Sequence, residues 1–192
     1  MKDVVVVFAR TPRLGTVKRR LARSIGARAA LRFHIGMLTR LARALRRERR
    51  FHAVFALTGG RARWPHGIAR MGQGQGDLGR RMDHAFRRFP RRRVVLVGTD
   101  IPALAAADLR AAFRALGRAA AVFGPAEDGG FWLVGFGARR PARPFAGVRW
   151  SSRHALADAL ANLRPRPVTL LRRLRDVDTA ADWRAAREAG QC

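Results

Sequence analysis

The sequence holds a single cysteine, Cys192. No intrachain disulfide can form, which excludes the small disulfide-stapled scaffolds and fits a reducing compartment. Long apolar runs are missing as well. Val4-Val5-Val6-Val7-Phe8-Ala9 falls far short of the roughly 20 residues that a membrane helix needs. It also lacks a small-residue cleavage site at the distance a signal peptide requires. The expectation is a soluble cytoplasmic protein with no membrane partner. Lysine is nearly absent: the 40 basic residues are all arginine except Lys2 and Lys18. Familiar catalytic signatures are absent too. The histidines at 34, 52, 66, 84 and 154 show no H-E-x-x-H spacing, and there is no G-x-S-x-G elbow and no Walker A loop.

What is present points to one globular domain spanning residues 1–192. With 48% hydrophobic residues the chain can bury a sizeable core. Against the 40 basic residues stand 13 acidic ones, a net charge of +27. Such a balance suggests a nucleic-acid partner, because clustered cations release counterions from a phosphate backbone. The alternative is a GC-rich genome that writes arginine where others write lysine. Distribution favours the second, since arginines fall in almost every segment and aromatics do not interleave with them as a base-stacking surface requires. The charge still attracts anions, nucleotides among them.

Hydrophobic periodicity predicts alternating strands and helices. Asp3–Ala9, His52–Leu57, Val94–Val97, Ala120–Phe123, Phe131–Phe136 and Val168–Leu171 read as strands. A helix begins near Val17 and breaks at Gly26. A second carries Leu31, Ile35, Leu38, Ala42 and Leu45 on one face. Leu78–Phe89, Ala105–Leu116, a segment capped by Ser151 or Ser152 and running to Leu163, and Thr179–Glu188 complete the helices. Thr58–Gly76, with Trp64 and Pro65, reads as irregular. The alternation implies a single-domain α/β fold, a mostly parallel sheet with helices on both faces, whose ligands lie outside the carboxyl ends of the strands.

Four stretches carry candidate chemistry. Arg10–Lys18 leaves a buried strand and enters a helix, with Gly15 for a tight turn and Arg10, Arg13 and Lys18 as cations. It reads as a phosphate cradle or as an ordinary loop of an arginine-rich chain. Asp100 follows a buried strand, and Asp178 precedes a helix; each can ligate a hard cation or cap a helix. Thr179 and Asp182 form a capping-box pattern. Asp128-Gly129-Gly130 lies between two extended segments, where glycines admit a ligand or simply make a hairpin turn. Gly74-Gln75-Gly76-Asp77-Leu78-Gly79 matches G-x-G-x-x-G, but Pro65–Met71 before it is not a convincing strand, so a dinucleotide site is not expected.

Together these stretches resemble a family of bacterial GT-A-like transferases, the arsenosugar-biosynthesis glycosyltransferases or radical-SAM-associated transferases. The resemblance runs through Arg10–Leu21, Gly76-Asp77-Leu78-Gly79 with Arg81-Met82, and Gly98-Thr99-Asp100-Ile101-Pro102. It continues through Gly124–Leu133, Trp150-Ser151-Ser152 and Asp176-Val177-Asp178-Thr179 with Asp182. The chain departs from the family's pattern at Arg10, Arg19, Gln75, Arg80 and Phe131.

The family is similar in fold to nucleotidyltransferases that make molybdopterin-guanine cofactors. The resemblance implies a nucleotide site at Arg10, Arg13, Gly15, Lys18 and Gly79, and a divalent metal, Mg²⁺ or Mn²⁺, on Asp100 and Asp178. It implies an acceptor side at Gly129, Gly130 and Trp150, with Asp128 as the candidate base. The activity implied is glycosyl transfer from a nucleotide sugar to a small-molecule acceptor. The alternatives are nucleotidyl transfer from an NTP with release of pyrophosphate, and a basic nucleic-acid-binding protein.

Overall fold

The structure, a computed structural model, describes residues 2–60 and 67–191. Trp64, Pro65, His66 and Cys192 lie outside the described residues. In chain order the elements are β1 (Asp3–Arg10), α1 (Arg19–Ile25), α2 (Ala27–Arg47), β2 (Phe51–Thr58), β3 (Ala69–Gly72) and α3 (Leu78–Arg87). They continue with β4 (Val94–Val97), α4 (Ala106–Ala115), β5 (Ala121–Pro125), β6 (Phe131–Phe136), α5 (Ala155–Ala161), β7 (Val168–Leu170) and α6 (Ala180–Glu188).

Four valines in succession make β1 a buried interior strand, between β2 and β4. Successive strand side chains face opposite sides. Val5 and Val7 therefore pack with Leu38, Ala42 and Leu45 of α2 and with Leu109, Ala112 and Phe113 of α4. Val4 and Val6 pack on the other face with Met82, Ala85 and Phe86 of α3 and with Ala155 and Ala159 of α5. Helices thus cover both faces, as the alternation predicts. Burying a side chain such as Phe55, Phe123 or Leu133 stabilises the fold by about 1.5–3 kcal/mol. Among the described residues, no helix is long and apolar enough to cross a membrane.

The seven strands run in the order β3-β2-β1-β4-β6-β5-β7. β1 pairs in parallel with β2 and β4, β2 with β3, and β5 with β7. Only β6 runs antiparallel, between β4 and β5. After β1 the chain moves outward through β2 and β3, then crosses back to β4 on the other side of β1. Loops leaving β1 and β4 diverge at that reversal, which opens a crevice at the carboxyl ends of both strands.

Two expectations are corrected. The stretch expected to be irregular contains β3, so the glycine motif at 74–79 does follow a strand and enter a helix. However, β3 is an edge strand, separated from β4 by two others, and not the centre of a dinucleotide-binding unit. The helix expected to be capped by Ser151 or Ser152 begins only at Ala155, after His154. Ser152 Oγ instead donates to the Arg149 carbonyl and accepts from the His154 N–H, which stabilises the preceding turn. The capping box of Thr179 and Asp182 at α6 forms as read.

Candidate functional site

A cleft of about 640 Å³ opens at the carboxyl ends of the four parallel strands β1 to β4. Arg10, Thr16, Lys18, Arg19 and Arg20 enter it from the loop after β1 and the start of α1, Thr58 from β2 and Gln73 from beyond β3. Asp100 arrives from β4, Asp178 from the segment before α6, and His34, Leu78, Arg81 and Ser151 complete the wall. Five basic side chains therefore face two carboxylates.

The centre of the cleft is an ion cluster built from distant parts of the chain. Lys18 Nζ lies 2.9 Å from Asp100 Oδ2 and 3.2 Å from Asp178 Oδ1. It also donates to the Val177 carbonyl at 2.5 Å, so the three acceptors match its three donors. The Lys18 side chain is only 4% exposed, whereas each carboxylate is 44% exposed to the cleft. Asp178 is brought there because Leu174 bridges to Ala126 and the Val177 N–H donates to the Asp100 carbonyl at 2.9 Å. Lys18 itself adopts a left-handed backbone, φ 49° and ψ 46°, as the residue before α1. That conformation costs a non-glycine residue roughly 1 kcal/mol and persists only where surroundings over-determine it. Asp100 was open to reading as a helix cap. Helix α4 starts at Ala106, with Asp108 closing its first turn, so Asp100 takes no capping role.

The first loop is anchored at its start. Thr11 is buried, its N–H donates to the Thr58 carbonyl and its hydroxyl to the Gly60 carbonyl. Gly15 has φ +74°, the left-handed turn expected of it. Arg10 reaches the cleft, while the Arg13 guanidinium lies against Gly60 and does not line the cleft. No sequence spacing marks His34 as a site residue. It is buried and its Nε2 is 3.0 Å from the Arg10 carbonyl. Burial holds its pKa below the ordinary histidine value; the Arg10 carbonyl and Asp100 oppose that shift and Lys18 adds to it. The available signal was its place on the apolar stripe of α2, between Leu31 and Leu38.

Gln73 and Arg81 form the far wall. The buried Gln73 amide donates to the Ala9 and Ala56 carbonyls, at 3.2 and 2.9 Å. Its Oε1 accepts from Arg81 Nη1 at 3.2 Å, and Arg81 Nε donates to the Asp77 carbonyl. Gly79, expected at the nucleotide site, is the second residue of α3, two before Arg81. A Cβ there would meet Phe145 and Trp150 at 2.9 Å. Gly79 lines a neighbouring hollow of about 300 Å³ with Asp77, Arg80 and Arg143.

The β5–β6 hairpin carries the other expected residues. Asp128 Oδ1 accepts from the Gly130 N–H at 2.8 Å, closing the turn locally. Gly129 has φ +86°, and a Cβ there would stand 2.3 Å from the Arg153 carbonyl oxygen. The space at Gly129 is thus filled by the chain's own backbone, and its carbonyl accepts from the Leu156 N–H. Trp150 is half-buried against Phe131 and Phe145, ring centroids 6.2 and 6.0 Å apart. None of these four residues lines the main cleft, which Ser151 reaches. Asp128 nevertheless lies near enough to act on Asp176, two residues before Asp178. Burial raises the Asp176 carboxyl above its usual range, and the charges of Asp128 and Asp178 raise it further.

The resemblance carried by the motifs implies a divalent cation. Among the described residues no three His, Cys, Asp or Glu side chains gather as a complete cage. Asp100 and Asp178 do converge on one cation, the Lys18 ammonium. A pair of hard oxygen donors open to a cleft fits Mg²⁺ or Mn²⁺, which take one or two carboxylates and complete their shell with water and substrate phosphates.

No curated protein matches the sequence. Among solved structures, the chain is similar to a candidate nucleotide-diphospho-sugar transferase from Desulfovibrio desulfuricans G20. The identity is 27% and the TM-score 0.89, over 99% of this chain and 88% of that one. It shares the fold of Rv0371c from Mycobacterium tuberculosis H37Rv in complex with manganese, with 18% identity and a TM-score of 0.56 over 98% and 100% of the two chains. It also shares the fold of 2-C-methyl-D-erythritol 4-phosphate cytidylyltransferase from Thermus thermophilus, with 15% identity and a TM-score of 0.59 over 100% of both. The GT-A-like, nucleotide-diphospho-sugar transferase fold is therefore the fold of this chain. The family described as "Uncharacterized protein conserved in bacteria (DUF2064)" matches residues 39–152.

Proposed function

The chain belongs to the DUF2064 family, and from that premise we propose that it is a cytoplasmic, metal-dependent transferase. Its donor is a nucleotide sugar and its acceptor a small molecule, as in the arsenosugar-biosynthesis branch that its motifs resemble. The observation that carries this reading is the Lys18–Asp100–Asp178 cluster, which spans the β1–β4 reversal inside a cation-lined cleft. Crevices at such reversals are where open α/β sheets bind nucleotides. The similarity to the Desulfovibrio protein, named for nucleotide-diphospho-sugar transfer, supports the donor class.

In this reading Arg10 receives the nucleotide phosphates, with Gly15 giving the loop its turn, while Lys18, whose three donors go to Asp100, Asp178 and Val177, contributes its charge to that phosphate site. Asp100 and Asp178 hold the divalent cation. When bound, that ion neutralises charge developing on the departing nucleoside diphosphate. Gly129, Gly130 and Trp150, beyond the lining of the main cleft, form the acceptor side. Asp128, through the oxygen not bound to the Gly130 N–H, takes the acceptor's hydroxyl proton as the hydroxyl oxygen bonds to the sugar. Gly79 contributes by admitting Trp150 and Phe145 against α3.

A second reading, nucleotidyl transfer, uses the same groups. The acceptor's phosphate attacks the α-phosphate of an NTP and pyrophosphate leaves. It draws on the fold shared along the whole chain with a cytidylyltransferase. A thermal-shift panel of nucleotide sugars and nucleoside di- and triphosphates, with and without Mn²⁺, tests both at moderate salt. A metal-dependent shift confined to one base supports the site. Product analysis then separates the chemistries, nucleoside diphosphate for the first and pyrophosphate for the second. Stabilisation by any polyanion, falling steeply with salt and indifferent to metal, would replace both with simple nucleic-acid binding.

A further inference from the structure

We propose that Arg81 is a second anion subsite of the cleft, taking a phosphate or carboxylate group of a substrate, and that Gln73 is its positioning residue. The inference deepens the transferase reading and rests on it for the cleft being a substrate site. Its own evidence is the way this guanidinium is held. Most cations with defined partners here are neutralised: Arg93 by Asp3, Arg149 by Asp158, Arg172 by Asp108, Arg175 by Glu127. Arg81 is instead braced by two neutral oxygens, Gln73 Oε1 and the Asp77 carbonyl. The Asp77 carboxylate is occupied by the Arg80 N–H at the start of α3. Among the described residues no carboxylate pairs with Arg81, and its Nη2 end has no partner. It lines the cleft on the β3 side, across from the Lys18 cluster at the β1–β4 junction.

The orientation of the brace is forced. Both protons of the Gln73 amide go to the backbone carbonyls of Ala9 and Ala56, at the ends of β1 and β2. A flipped amide would oppose oxygen to oxygen, so Oε1 must face Arg81. Gln73 is buried, ties three strand ends together, and reaches the cleft wall beside the Arg81 it braces. A planar guanidinium fixed at Nε and Nη1 presents its remaining donors in the fork that matches an anionic oxygen pair. That anion belongs either to the nucleotide's phosphate chain or to the acceptor, and the chemistry is common to both.

The test is calorimetric titration with inorganic pyrophosphate and with nucleoside diphosphates at fixed moderate salt. Arg118→Gln is the control for loss of one charge. That residue is exposed just before β5, whose first residue stands level with the start of β4 at the opposite end of the sheet. Arg81→Gln is expected to weaken pyrophosphate about tenfold, or about 1.4 kcal/mol, while Arg118→Gln changes it less than twofold. Arg81→Lys, which keeps the charge without the fork, recovers only part. Gln73→Met leaves net charge unchanged and is expected to weaken pyrophosphate about threefold, on the order of 0.7 kcal/mol. Combined with Arg81→Gln it adds nothing further.

Equal losses for pyrophosphate and nucleoside diphosphate assign the subsite to the nucleotide. A loss that persists with nucleoside diphosphate saturating assigns it to the acceptor. Loss of pyrophosphate in a protein that binds no nucleotide would overturn the transferase reading and keep the subsite. Arg81→Gln behaving like Arg118→Gln overturns the subsite. A Gln73→Met protein that melts earlier yet binds pyrophosphate normally overturns the positioning role.

Discussion

The carboxyl ends of β1 and β4 and the tip of the β5–β6 hairpin carry the same kinds of residue, acids and glycines in loops, and use them oppositely. At the hairpin, Asp128 satisfies a backbone N–H two residues away, and Gly129 admits the backbone of Arg153. Every special residue there has a local or packing partner. At the β1–β4 junction, Lys18 meets a carboxylate 160 residues away, and neither Asp100 nor Asp178 closes a turn. An acid that caps its own loop has one oxygen committed to the fold. An acid held by a distant cation, with nearly half its surface open, retains valence for something else.

Removing the partners at the junction has the largest expected effect. Asp100→Asn combined with Asp178→Asn leaves a buried ammonium with no anion and should cost about 3 kcal/mol in chemical denaturation. It should also abolish any Mn²⁺-dependent nucleotide stabilisation. A loss below about 0.5 kcal/mol, within the range of exposed ion pairs, would erase the distinction between the two regions. At the hairpin, Gly129→Ala should cost about 2 kcal/mol through left-handed strain and overlap with Arg153. Metal binding should survive unchanged in that variant; if it weakens, the two regions are coupled. Lys18→Met tests the junction from the other side. Without the competing ammonium, Mn²⁺ affinity measured in the absence of nucleotide should rise about tenfold, or 1.4 kcal/mol. No change would mean that the carboxylates do not share one cation seat.

The smallest effect concerns His34. Its folded pKa lies below the unfolded value, so the unfolded chain takes up the proton first as pH falls. Stability is therefore complete above the ordinary histidine range and declines as pH drops through about 6.5. His34→Asn should flatten that part of the stability–pH profile, with Asp100 and Lys18 still in place. An unaltered slope would assign the pH dependence to other groups.

Much of the architecture was legible because it rests on local signals. Val4–Val7 is wholly β-branched and Val94–Val97 is apolar throughout, the pattern of buried strands, and Gly26 breaks α1 from α2 where expected. β3 escaped because Ala69-Arg70-Met71-Gly72 is an edge strand of largely exposed residues, so neither face writes a hydrophobic pattern. Ser152 misled because its hydroxyl serves an earlier turn. At the site, residue type marked Lys18, Asp100 and Asp178 as candidates. Their meeting was not legible, since it depends on the strand order and on the path of residues 172–178 past β5. Gln73 and Arg81 are ordinary polar residues whose pairing exists only once β1, β2 and β3 lie side by side.

The span between Lys18 and its partners also sets an order of assembly during synthesis. Chains fold from the amino end as they emerge, and Lys18 leaves the ribosome long before Asp100, and Asp100 long before Asp178. The cleft is thus completed in two stages, first as a bare cationic mouth and then as a half-neutralised one. Until Asp178 docks, the Lys18 ammonium lacks one of its two carboxylate partners. Closing of the ion cluster is the step that turns a general anion trap into a defined seat.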